Sequence, residues 1–167
     1  AYYISSHGYG HAARSLAVLE TLANKATLFV KTEIPPSFFQ DYLGDCVQII
    51  TQQTDSGCAQ KNFSDIDEET TFHNFQKFMK GHDQTIESEV NWLKQESIDL
   101  IISDAPSMPI EAAHRAKIPS LLITNFTWHD IYSEFSLAHK HVDLIKILKN
   151  VIKYHITKMN QVKLFII

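Results

Sequence analysis

A glycine-rich turn near the start of the chain carries two histidines. Residues 5–14 read SSHGYGHAAR. Gly8 and Gly10 permit a tight turn and a close approach of the backbone to a ligand, and a helix that begins near His11 would aim free N–H groups at an anion. Because imidazole accepts protons readily near neutral pH, His11 is a candidate general base. The alternative for His7 and His11 is that they only pack against the turn or cap it.

Three later segments carry further polar groups. Asp55 stands two residues before Gly57, and its alternative role is an Asx turn with that glycine at positive φ. Asp104 is placed to hydrogen-bond the first-turn histidine and raise its basicity; otherwise it caps a helix or is solvated. Asn125 can donate and accept hydrogen bonds, and Trp128 offers a stacking face to a sugar or other flat ligand. The alternative for Trp128 is a buried ring that anchors the next helix.

Short apolar runs alternate with amphipathic stretches along the whole chain. The runs predict strands at 1–5, 27–31, 47–51, 98–103, 120–124 and 162–167. The stretches between them predict helices at 12–23, 37–43, 67–96, 109–116, 128–138 and 142–159, with Gly81 kinking or dividing the third. Strands separated by helices imply right-handed crossovers and a mostly parallel sheet covered on both faces. We therefore expect one α/β, Rossmann-like, three-layer domain over residues 1–167.

The predicted sheet explains why the polar segments belong together. In a parallel sheet the loops after the strands meet at one edge, and ligands bind there. The glycine turn follows the first predicted strand, and the segments that carry Asp55, Asp104 and Asn125 follow the third, fourth and fifth. The sequence therefore predicts one site built from four loops.

Composition excludes several classes of protein. The chain has 167 residues, 44% hydrophobic and 20% charged, with a net charge of −4 and no basic stripe, which argues against a nucleic-acid partner. No apolar run approaches the ~18 residues of a membrane-spanning helix, and no signal peptide is visible. Two cysteines make no disulfide framework, which favours a reducing, cytoplasmic location. The chain begins inside a strand-like run and stops in another, so we expect a fragment of a longer protein.

Five segments in order resemble one protein family. They are HGYGHAxR from His7, DxGxxQ from Asp55, EVxWL from Glu89, DLIISD from Asp99 and TNFTWxxIY from Thr124. Together they resemble the N-terminal half of GT-B glycosyltransferase-like proteins, including MurG-like sugar transferases and the N-terminal region of L-arabinokinases. The resemblance covers nearly the whole chain.

The resemblance implies two Rossmann-like domains that face each other across a cleft, with the acceptor on this domain and the nucleotide-sugar donor on a C-terminal domain absent from this chain. His11 would be the base or an oxyanion-side contact, and Asp104 its partner. Asn125 and Trp128 would line the acceptor side, and Arg14 would face the donor's diphosphate beside the helix N-terminus. The expected substrate-binding residues are His7, Gly8, Gly10, Arg14, Asp55, Asn125 and Trp128.

On this interpretation the chain is the acceptor-side domain of a glycosyltransferase, inactive in isolation. It moves a sugar from a nucleotide-sugar to a hydroxyl acceptor, with no metal ligand and with the nucleotide-sugar as co-substrate rather than cofactor. Two alternatives stay open. A dinucleotide-binding domain would use the spacing of Gly8, Gly10 and Ala13 with Glu33 as the ribose-binding acid. A non-catalytic sugar-binding or regulatory module would bind the sugar without turning it over.

Overall fold

A single parallel sheet of six strands runs through the centre of the molecule. The computed structural model describes residues 1–62, 64–156 and 162–165, without the side chains from residue 150 onward. The strands are β1 (Tyr2–Ile4), β2 (Leu28–Thr32), β3 (Val47–Thr51), β4 (Ile101–Asp104), β5 (Ser120–Ile123) and β6 (Val162–Phe165). They lie in the order β3-β2-β1-β4-β5-β6 and every neighbouring pair is parallel. The order reverses between β1 and β4, which is where sheets of this kind bind ligands.

Seven helices in the described residues connect the strands and cover both faces of the sheet. They are α1 (Tyr9–Leu22), α2 (Ser37–Leu43), α3 (Glu68–Met79), α4 (His82–Gln95), α5 (Met108–Ala116), α6 (Trp128–Ser133) and α7 (Val142–Ile156). Short 3-10 turns span Gly44–Cys46 and Ala138–Lys140. In the described part of the chain, no helix has the length and apolar character needed to cross a membrane. The predicted α/β, Rossmann-like three-layer architecture is confirmed.

Two apolar cores lie on opposite faces of β1. Successive side chains of a strand point to opposite faces of the sheet. Accordingly Tyr2 and Ile4 pack with residues of α1 and α2, including Leu19. Tyr3 packs instead with Ile86 and other residues of α4 and α5. Because β1 is buried on both faces, its carboxyl end holds the following glycine turn in a fixed place.

Several element boundaries differ from the predicted ones for local reasons. Helix α1 begins at Tyr9, three residues early, since Gly8 at φ +88° turns the chain directly into it. The predicted third helix is divided into α3 and α4 by Gly81, whose φ is +79°. Strand β4 starts later than predicted, because the N–H of Ile98 closes the end of α4 on Leu93.

Helix α6 is shorter than the predicted helix at 128–138. After Ser133 the chain continues in turns, each closed by a bond from an N–H to the carbonyl three residues earlier, for example from Ala138 to Phe135. The predicted last helix and strand overlap α7 and β6, and residues 157–161, 166 and 167 lie outside the described residues.

Candidate functional site

His11 and Asp104 meet at the point where the strand order reverses. His11 lies in the first turn of α1, after β1, and Asp104 is the last residue of the neighbouring β4. The Nδ1 of His11 is 2.7 Å from Oδ1 of Asp104; the carboxylate side chain is fully buried, whereas 18% of the imidazole is exposed. A carboxylate only accepts hydrogen bonds, so Nδ1 of His11 is the donor of this contact and Nε2 is the nitrogen that does not face Asp104. The structure thus brings the two predicted residues into hydrogen-bond contact.

Asp104 accepts two further partners from the same helix face. The Nε of Arg14 donates to Oδ2 over 2.9 Å, a second guanidinium nitrogen donates to Oδ1, and the hydroxyl of Ser15 donates to Oδ2 over 2.9 Å. His11, Arg14 and Ser15 are spaced i, i+3 and i+4, which places all three on one side of α1. Sequence reasoning missed Ser15, although this spacing relative to His11 was the available signal.

The hydrogen bonds to Asp104 decide its charge. Burial alone raises the pKa of this carboxyl, but the hydrogen bonds from His11, Arg14 and Ser15 outweigh that effect and hold its pKa below the usual value. The same pairing raises the pKa of the Arg14 guanidinium. Asp104 is therefore an anion that orients His11 and can stabilise an imidazolium when one forms.

Arg14 also reaches the loop after β5. Its Nη1 donates to the side-chain oxygen of Asn125 over 3.1 Å. The guanidinium of Arg14 thus bonds to both Asp104 and Asn125, and 26% of the side chain is exposed. Its hydrogen bonds are made within this domain. Arg14 therefore connects α1, β4 and the loop after β5, and it holds Asn125 beside His11 and Asp104.

Trp128 is buried rather than open to the edge of the sheet. It is 8% exposed and packs with Phe72, Phe75 and Tyr132. Its indole N–H donates to Oδ2 of Asp55 over 2.9 Å. The predicted open stacking face is thus not present, and the alternative of an anchoring ring describes Trp128 better.

Burial raises the pKa of Asp55, and the hydrogen bonds from Ser5 and Trp128 oppose this increase.

The loop after β3 is fastened to the glycine turn through His7. The Nδ1 of His7 accepts the N–H of Cys58 over 3.4 Å, and its ring meets the indole of Trp128 edge to face at 5.4 Å. Burial, and then the nearby His11, lower the pKa of His7. His7 is therefore a neutral contact that holds the loop in place.

Replacing Gly57 with alanine is expected to loosen this contact. Gly57 has φ +55°, and a Cβ there would lie 3.0 Å from Nδ1 of His7. Strained backbone costs about 1–2 kcal/mol, and the clash adds to it. Gly44 also has φ +55°, but a Cβ there meets no atom within 4 Å. Urea unfolding should therefore show a larger loss for Gly57→Ala than for Gly44→Ala; equal losses would mean that the His7 contact is not tight.

Folding stability is expected to fall in acid because of Asp104. Its pKa is depressed in the folded state, so its contribution is complete above the unfolded pKa of about 3.9 and is lost as the pH falls through the lower folded value. The free energy of unfolding, measured in urea between pH 6 and pH 3, should drop towards the acid end. Asp104→Asn should start lower and show a shallower drop. An unchanged slope in that variant would contradict the assignment.

The turn before α1 leaves space over the helix N-terminus. No side chain in the described residues caps α1, and its first turn carries no acidic residue. A Cβ at Gly8 or Gly10 would meet nothing within 4 Å. Glu33, exposed after β2, accepts a hydrogen bond from Ser6 over 3.2 Å and lies beside this turn. No group of three or more His, Cys, Asp or Glu side chains that could hold a metal ion occurs among the described residues.

Proteins similar to this chain were found by family model, by sequence and by structure. A family model described as glycosyl transferase family 1 matches residues 1–165. L-arabinokinase from Arabidopsis thaliana is 30% identical over 141 residues, which are 83% of this chain and 14% of that protein. The solved structure of the calicheamicin glycosyltransferase CalG4 is similar with a TM-score of 0.47 and 14% identity, over 90% of this chain and 42% of that one. The chain thus spans less than half the length of each of these relatives.

Proposed function

Because this chain belongs to glycosyl transferase family 1, we propose that it is the acceptor-side domain of an enzyme that transfers a sugar from a nucleotide-sugar to a hydroxyl group. The observation that carries the proposal is the pair of His11 and buried Asp104 at the reversal of the strand order. A nucleophilic hydroxyl needs a base within hydrogen-bond reach, and an imidazole oriented by a carboxylate provides one.

The proposed reaction uses the free nitrogen of His11. Nε2 takes the proton of the acceptor hydroxyl as its oxygen bonds to the anomeric carbon of the donor sugar. The bond from that carbon to the phosphate oxygen breaks, and the nucleoside diphosphate leaves with the electron pair. Asp104, already bonded to Nδ1, then stabilises the imidazolium through its negative charge.

The leaving diphosphate needs positive potential that this domain supplies only in part. The charge of Arg14 is offset by Asp104, to which it is bonded. What remains is the uncapped N-terminus of α1, where Gly8 and Gly10 leave room for an anion. We infer that a second domain across the cleft binds the nucleotide and most of the diphosphate, as the domain pair of this fold implies.

A sugar-binding or regulatory module is the second candidate. The observation that favours it is the match to a protein named as a kinase, in which this chain corresponds to 14% of the length. In such a module the same residues would bind a sugar without transfer. The dinucleotide alternative retains Glu33 near the glycine turn, but the family model argues against it.

Transfer assays on the full-length protein separate these functions. A panel of nucleotide-sugars is incubated with hydroxyl-bearing acceptors, and release of nucleoside diphosphate is followed. Acceptor-dependent release is expected. If calorimetry detects sugar binding but no donor releases nucleoside diphosphate, the chain is a sugar-binding or regulatory module. A rise in melting temperature with NAD would instead favour dinucleotide binding.

A further inference from the structure

An open cavity of about 480 Å³ lies between the loop after β3 and the turn that joins α3 to α4. Gln52 directly follows β3, and α4 begins at this end of the sheet, so the cavity opens on the carboxyl edge where the catalytic pair lies. Its volume is within the range of small-molecule sites. The main lining side chains are Gln52, Gln53, Asn74, Lys77, Phe78 and His82.

We propose that this cavity is the acceptor pocket and that it takes a polyhydroxylated, sugar-like acceptor rather than an apolar one. The inference rests on the proposed transfer reaction and names the substrate class of that site. The cavity is lined by none of the candidate site residues predicted from the sequence. Its lining includes Ser56, which belongs to the same loop as Asp55.

The lining offers both donors and acceptors of hydrogen bonds. Among the described residues the side chains of Asn74 and Lys77 have no hydrogen-bond partner, and the amide oxygen of Gln53 is free because only its NH₂ is used, on the carbonyl of Asp55. A hydroxyl group donates one bond and accepts others, so a ring bearing several hydroxyls can satisfy such a mixed set. An apolar ligand would strip water from these groups without replacing its hydrogen bonds, which is costly.

Gln52 is oriented for this purpose by a buried ion pair. Its NH₂ donates to Oε2 of Glu89 over 3.1 Å, and Glu89 also accepts a bond of 2.7 Å from Lys31. A carboxylate has no hydrogen to donate, so the amide of Gln52 must present its nitrogen to Glu89 and its oxygen elsewhere. Gln52 therefore acts as a fixed acceptor at the cavity rather than a freely rotating amide.

Two side chains determine how a sugar ring would lie. Phe78 is partly exposed at the cavity and offers an apolar face to the C–H groups of a ring. The ammonium of Lys77, exposed one turn after Asn74, supplies three donors without an ion-pair partner in the described part of the chain. A ring packed on Phe78 would then direct its hydroxyls to the amides and to Lys77.

The cavity is connected to the catalytic pair by one short loop. Ser56 lines the cavity, and the next residue, Gly57, packs against His7 at the glycine turn. The hydroxyl of Tyr132 contacts Ser56 at 3.2 Å and donates to the carbonyl of Gly57 over 2.5 Å, which fixes the loop between the two places. An acceptor seated in the cavity therefore lies next to the loop that borders the base.

The test measures binding to this chain by ¹⁵N–¹H NMR, without a donor. The hydroxyl-rich probes are D-glucose, D-galactose and L-arabinose at millimolar concentration, and the apolar probes are phenol and 1-naphthol. We expect the sugars to shift the side-chain amide signals of Gln52, Gln53 and Asn74 and the phenols to leave them in place. Losing the hydrogen bonds of one side chain should weaken sugar binding by about tenfold.

The variants separate a binding role from a change in folding. Asn74→Leu and Lys77→Met should each weaken sugar binding by that factor, whereas Gln76→Leu, at an exposed position of α3 outside the cavity, should not. His11→Ala should strongly reduce transfer but should still show the sugar-induced shifts of the cavity amides, so failure of the transfer reaction is distinguishable from failure of the pocket. Tighter binding of the phenols at these signals, or no shift with any sugar, would overturn the proposal.

Discussion

Replacing His11 with alanine is expected to lower the turnover of sugar transfer by roughly 10²-fold or more in the full-length protein. Removing the imidazole takes away the group that we propose as the acceptor of the hydroxyl proton, and alanine has no group that can accept it. The effect should fall on kcat rather than on KM, because the cavity that we propose for the acceptor is lined by other residues. Initial rates of nucleoside diphosphate release at saturating acceptor provide the measurement.

A histidine outside the site provides the matched control for this variant. His73 is exposed on α3 and does not line the cavity, so His73→Ala should retain full turnover. Asp104→Asn tests orientation, since an amide can also offer its NH₂ to Nδ1 and so stabilise the wrong tautomer of His11. It should lower kcat and shift the pH profile. Wild-type turnover from His11→Ala would remove the base assignment.

Replacing Glu89 with alanine is expected to cost about 3–5 kcal/mol of folding free energy, because it leaves a buried charge without its partner. Lys31 and Glu89 are 3% and 4% exposed, and their charged atoms are 2.7 Å apart. Burial lowers the pKa of Lys31 and the bond to Glu89 opposes this. The rings of Trp92 and Tyr3, whose centroids are 3.4 Å and 5.7 Å from Nζ, also contact the ammonium, but cation–π contacts compensate only in part.

A double variant tests whether the uncompensated charge causes the loss. Glu89 also accepts a hydrogen bond from the hydroxyl of Tyr3, and glutamine at this position keeps an oxygen for it. Lys31→Met combined with Glu89→Gln should therefore recover much of the stability lost in Glu89→Ala, as measured by urea unfolding. Asp143→Ala, which removes an exposed ion pair with Lys146, should leave stability unchanged. No recovery in the double variant would contradict the ionic explanation.

Sequence patterns predicted helices and strands well where a single local feature, such as an apolar run or a glycine, determined the element. The run at 47–51 is strand β3 over the same residues, because it is bounded by polar residues and ends at a loop. Gly81 divided a long amphipathic stretch as expected, since only glycine adopts φ +79° without strain. The failures are helix ends, such as that of α6, where tertiary packing of Tyr132 and Phe135 replaces the helix with turns.

The sequence predicted which residues of the candidate site lie close together better than it predicted their orientation. His11, Asp104 and Asn125 were identified because each follows a strand, and parallel strands bring such positions together. The role of Trp128 was not settled by its type, since the same ring serves as a platform or as an anchor. The pair of Lys31 and Glu89 escaped the sequence analysis because the two residues are 58 positions apart and neither sits in a loop.

The position of β1 has a consequence for how the chain folds during synthesis. Tyr2 of β1 pairs with Val30 of β2 early in the chain, but its other neighbour is Ile102 of β4. One edge of β1 therefore has no strand to pair with until about a hundred more residues have been synthesised. Non-local pairings of this kind form slowly. The hydrogen bonds from His11 to Asp104 and from Arg14 to Asn125 join residues 93 and 111 positions apart, so neither contact can form before β4 and the loop after β5 have been synthesised.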